Sequence, residues 1–104
     1  MKNIGVCAKN INVARNFLNA LVSERTIGDL VTINGYFGGI WEYVFVDTTY
    51  KIISYMGKGR GMQVDRLYLC NDVDADFKEE IVPRILRGEN AEKTPVYFSQ
   101  ECYI

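Results

Sequence analysis

Residues 4–22, IGVCAKNINVARNFLNALV, carry two periodicities in one short stretch. The first five residues form an apolar run beside a glycine, the pattern of a buried strand. After Lys9, apolar side chains recur at helical spacing through Val13, Ala14, Phe17, Leu18, Leu21 and Val22, while Arg15, Asn16, Asn19 and Ser23 take the opposite face. Asn10 or Asn12 is placed to cap that helix, because a short amide oxygen accepts a free N–H of the first turn. A strand that passes directly into an amphipathic helix opens an α/β arrangement.

The rest of the chain extends that reading. Residues 27–55 are rich in β-branched and aromatic side chains and are broken by Gly35, Gly38 and Gly39. They predict two or three antiparallel strands, near residues 29–34, 40–46 and 50–55, with a turn at Asp47-Thr48-Thr49. A glycine-basic loop over residues 57–61 precedes another strand, residues 64–70. Asp72 or Asp74 then caps a second helix whose apolar face is Phe77, Ile81, Val82, Ile85 and Leu86. Pro83 falls inside that pattern and predicts a kink or a late start, and Gly88 a stop. Residues 95–99, PVYFS, form a last strand, and QECYI is a tail that packs or frays. The expected fold is a single α/β domain over residues 1–104: a small mixed sheet with a parallel core, two helices and an antiparallel hairpin extension.

Composition narrows the chemistry. With 48% hydrophobic and 24% charged residues, the chain has the balance of a globular protein and not of a disordered one. A net charge of −1 argues against binding nucleic acid by phosphate neutralisation. Cys7, Cys70 and Cys102 are odd in number and widely spaced, which suits a reducing cytoplasm better than a disulfide framework. The absence of histidine removes the commonest metal ligand and general base together, so neither a zinc site nor a Ser-His or Cys-His nucleophile is available. No apolar run approaches the roughly 18 residues of a membrane span, and MKNIGVCAKN lacks the core of a signal peptide. No cofactor, metal or catalytic residue is assigned.

Three stretches resemble part of the P-loop ATPase core of phage large terminases and related helicases. IGVCAKNINVARNFLNAL is similar to the strand and helix that follow the nucleotide-binding helix in those enzymes. YKIISYMGKGRGMQVDRLYLCND is similar to their strand, Arg-Gly loop and Walker B strand, and FKEEIVPRILRGENAEKTPVYFSQE to the next helix and the strand of the coupling motif. The departures are chemical. No G-x-x-x-x-G-K-[ST] occurs, so the phosphate cradle is missing. Where the Walker B strand would end in two acids, this chain has Asn71-Asp72, and a neutral Asn is a poor magnesium ligand. The resemblance therefore implies an ATPase scaffold without hydrolysis. It also implies that the matching strands lie side by side and that the strand at residues 95–99 is left at an open edge, available for a homodimer or another partner.

In size and general character the chain also resembles the staphylococcal phage inhibitors of the bacterial helicase loader. That likeness implies a partner, a host replication ATPase of AAA+ type, bound in the host cytoplasm. The residues expected to meet it are Tyr36, Phe37, Trp41, Lys58, Arg60, Tyr97, Phe98 and Tyr103. Large aromatics anchor interfaces and cores alike, so Tyr36, Phe37 and Trp41 suit either use. Lys58 and Arg60 between glycines suit an anion nest, or more simply a loop with two solvated charges. Asp72, Asp74 and Asp76 suit a divalent cation, or more simply the start of a helix. Cys7 and Cys70 read as small apolar core residues, with Cys102 the accessible thiol. Two other functions fit the residues. One is a single-stranded nucleic-acid module using Lys58, Arg60, Arg66 and exposed aromatics. The other is an inactive subunit of a split ATPase.

Overall fold

The computed structural model describes residues 2–36 and 39–103. Among them the chain forms a six-stranded mixed sheet in the order β2-β3-β4-β1-β5-β6. The strands are β1 (Lys2–Cys7), β2 (Leu30–Tyr36), β3 (Gly39–Phe45), β4 (Thr48–Ile52), β5 (Arg66–Cys70) and β6 (Val96–Phe98). β4, β1, β5 and β6 run parallel, and the β2–β3 hairpin is added antiparallel along β4. The antiparallel part arises locally. β3 turns into β4 through Val46 and Asp47, and β2 reaches β3 with bulges near Leu30 and Gly35.

Strand alternation sorts the side chains onto two faces. Ile4, Val6, Tyr50, Ile52 and Cys70 point to one face and meet Val13, Ala14, Phe17 and Leu18 of α1 (Ile11–Ser23). Cys7, Leu67 and Leu69 point to the other, against Phe77, Ile81, Val82 and Ile85. Each fully buried Leu or Ile contributes roughly 1.5–3 kcal/mol, so both layers are needed to hold a chain this short. The crossover from β1 to β4 runs over the α1 face. The links from β4 to β5 and from β5 to β6 run the opposite way over the other face, so all three share one hand. Gly5 makes the second link possible. A Cβ there would lie 2.7 Å from Ile53 and 3.1 Å from Val64, which cross over it.

The second helical segment departs from its expected start in an instructive way. Asp74 provides the cap: its Oδ1 accepts the Phe77 N–H at 2.8 Å. A π-helical turn then spans Phe77–Ile81, in which the Val82 N–H reaches back to the Phe77 carbonyl, before α2 (Val82–Ile85) begins. The widened turn delivers Pro83 to the start of α2, where a missing N–H costs no hydrogen bond. The segment ends at Ile85, before Gly88, because Val64 captures the chain: its N–H donates to the Ile85 carbonyl and it bridges to Leu86. Asp72 does not cap this segment; β5 delivers it to a different helix. The tail packs. Tyr103 sits edge-on to Phe17 and Phe98, and Asn16 Nδ2 donates to its carbonyl.

Candidate functional site

The parallel strands release the chain at one end of the sheet, where Asn71, Asp72 and Asp74 are each held by protein partners. The first N–H groups of α1 have no helical partner and carry the positive end of the helix dipole. Asp72, one residue beyond the Asn71 that follows β5, accepts the Lys9 N–H on Oδ1 at 3.0 Å and the Asn10 N–H on Oδ2 at 3.1 Å. Asn10 in turn accepts from the Asn12 N–H at 2.9 Å. Asn71 faces the other way: its Oδ1 accepts the Gln100 N–H at 3.1 Å, and its own N–H donates to the Phe98 carbonyl at 2.9 Å. The Asn-Asp pair after β5 thus fastens the turns after its two neighbouring strands.

Asp74 is held by its cap and by the Tyr55 hydroxyl at 3.0 Å. The Phe77 N–H first, then the Tyr55 hydroxyl, keep its carboxyl below the usual range. The same bond raises the Tyr55 phenol. Among the described residues no three His, Cys, Asp or Glu side chains gather as a metal cluster. Burial, then Asp72 and Cys70, push the Cys7 thiol up to about 12, and burial also raises that of Cys70. Both stay protonated at neutral pH and are poor nucleophiles. Cys102 is the exposed thiol.

The loop over residues 57–61 does not form an anion nest. The N–H groups of Lys58, Gly59 and Arg60 donate to the carbonyls of Tyr55, Ser54 and Gly57, leaving none of the three for a ligand. Gly59 has φ +61°, and a Cβ on it would lie 2.6 Å from Ile85 Cδ1, so the glycine wedges the loop against α2. The loop's side chains meet others. Lys58 and Arg60 share a cavity of about 330 Å³ with Arg84 and Arg87, and no carboxylate lines it among the described residues. Sequence reasoning named only the loop half of this cluster. Two arginines three apart on the turn facing that loop were the overlooked signal.

A second cavity, about 380 Å³, opens between the ends of β1 and β4. Trp41, Tyr55, Met56 and Met62 form much of its wall, with Lys9 and Arg15 contributing charge. Arg15, assigned by periodicity to the solvent face of α1, lies only partly exposed, and its Nε is buried without a hydrogen-bond partner.

The expected partner-binding residues do not form one patch. Trp41 is half-buried in that second cavity, whereas Lys58 and Arg60 sit on the loop beside α2. Phe98 stacks on Phe17 with ring centroids 4.0 Å apart, and Tyr103 seals the same cluster, so both serve the α1 layer. Tyr97 is exposed on β6, with the Lys78 ammonium 5.3 Å from its ring centroid. Tyr36 closes β2, and Phe37 lies outside the described residues. No helix among the described residues is long and apolar enough to cross a membrane. No protein-family model, curated protein or solved structure matches the chain.

Proposed function

We propose that the chain is a non-enzymatic, phage-encoded inhibitor that binds a host replication ATPase of AAA+ type, a helicase loader, and blocks its assembly or its engagement of DNA. The observation that carries this reading is the β6 edge. β6 ends the four-stranded parallel array, and among the described residues it pairs with β5 alone. Phe98 turns its carbonyl to β5, so strand alternation points the N–H and C=O of Tyr97 outward, while the Val96 and Tyr97 side chains are 40% and 53% exposed. An ATPase sheet continues where this one stops, and a strand of the partner can pair there. The commitment of Asp72 to two backbone N–H groups supports a binding role over hydrolysis.

Complex formation with a purified helicase-loader ATPase, followed by size-exclusion chromatography with light scattering, tests the reading. Wild type forms the complex, Tyr97→Pro loses it because proline removes the outward N–H, and Ile33→Lys on the far edge keeps it. Absence of a wild-type complex at micromolar concentration would overturn the proposal.

The cavity shared by Lys58, Arg60, Arg84 and Arg87 favours one second reading, a single-stranded nucleic-acid module. Four phosphate contacts would give a log–log salt slope of about −2.8. A flat salt dependence would remove this reading. Arg66 takes no part, since it is paired with Glu92.

A further inference from the structure

The crevice beside Trp41 has the features of a ligand site independent of the edge-strand reading. β1 leaves the sheet toward the α1 face and β4 toward the opposite face, so the chain parts between their carboxyl ends. That is where open α/β sheets receive ligands. At about 380 Å³ the space lies at the small end of the roughly 300–1,000 Å³ typical of small-molecule pockets. Its wall is mainly apolar: Trp41 offers a flat ring, and Met56 and Met62 adapt to irregular shapes.

The charge in the crevice is one-sided. Lys9 and Arg15 line it, and no carboxylate does among the described residues. The two ion pairs among those residues, Arg25–Asp47 and Arg66–Glu92, use neither cation. Arg15 Nε is buried and has no protein acceptor, so no carboxylate or carbonyl of the protein holds the guanidinium from that side. Gly39, at φ +124°, leaves the space that the guanidinium occupies, and a Cβ there would stand 3.1 Å from Nε.

We propose that this crevice binds a small organic monoanion, an aryl or alkyl carboxylate, with its flat apolar body against Trp41 and its carboxylate on the Arg15 guanidinium. A guanidinium fork matches a carboxylate bidentately. The mostly apolar wall favours one negative charge over the two of a phosphate monoester.

Trp41 is the only tryptophan in the chain, so its emission reports directly on the crevice. Titration with 3-phenylpropionate is expected to change that emission saturably, and the uncharged 3-phenylpropanamide to bind at least tenfold more weakly. Arg15→Gln is expected to weaken the acid at least tenfold and leave the amide unchanged, while Arg15→Lys restores part of the loss. A wild-type protein that gives no saturable response to the acid, or binds acid and amide equally, overturns the proposal. So does a folded Arg15→Gln with unaltered affinity. Should Arg15→Gln fail to fold, the acid–amide contrast in wild type decides alone.

Discussion

The four parallel strands and the antiparallel pair that extends them are covered very differently. In the parallel part, Val6, Cys7, Leu67 and Leu69 are wholly buried, with side chains on both faces of the sheet. In the extension, Val31, Ile33 and Ile40 are 61%, 47% and 37% exposed. The difference follows from how the strands are joined. Parallel neighbours need a crossover, and each crossover lays a segment on one face or the other. A hairpin lays nothing. The extension is covered where α1 overhangs it, through Leu30, Trp41, Phe45 and Tyr43, whose hydroxyl donates to Asn19 at 2.9 Å. Ile33, across from Tyr43, lies beyond the helix. The bulges along the β2–β3 ladder, one of them in β2 at Val31, make that edge a poor template for another strand, whereas β6 is kept short.

The largest expected effect goes to the heart of that contrast. Leu67→Ala should cost about 3 kcal/mol in urea denaturation, and Ile33→Ala within about 0.5 kcal/mol. Equal costs would break it. Gly59→Ala should cost about 2 kcal/mol, because the new methyl group meets Ile85 in a left-handed backbone conformation. Asp72→Asn weakens the fastening of β5 to the start of α1 and should cost about 1.5 kcal/mol by the same measurement, with the m-value unchanged.

A smaller effect is visible only as a function of pH. The folded Asp74 carboxyl is held below its unfolded value of about 3.9, so its contribution is complete well above pH 4 and disappears as pH falls through the lower folded value. The stability difference between wild type and Asp74→Ala should therefore be present at pH 7 and shrink below about pH 4. Last, thiol titration of the native protein should register Cys102 promptly and Cys7 and Cys70 only after unfolding. Prompt reaction of Cys7 would mean that the parallel part opens as readily as the extension.

Much of the layout could be read from local pattern. The apolar residues of α1, the sheet's parallel core and the added hairpin are where periodicity and glycine breaks put them, because each signal lies within a few neighbouring residues. Boundaries moved where partners intervened. Val64 pairs with Leu86 outside the strand it was expected to open, and Leu86 thereby ends α2 before Gly88. The site was less legible. Phe98 and Tyr103 are aromatic residues near the end of the chain, and nothing local says that Phe17, some 80 residues earlier, takes both rings.

The sequence by itself determined the order and type of the elements, the missing phosphate cradle and the lack of histidine chemistry, all of which depend on residue identity and short spacing. Only the tertiary structure decided what the charged groups do. Asp72 and Lys9 are 63 residues apart, yet neighbouring parallel strands bring the carboxylate onto the Lys9 N–H. Arg15 has the spacing of a solvated helix position, but β3 and the Gly39 gap fold it over a cavity. A charge's role depends on what surrounds it in space, and in a sheet of crossovers those surroundings come from distant parts of the chain.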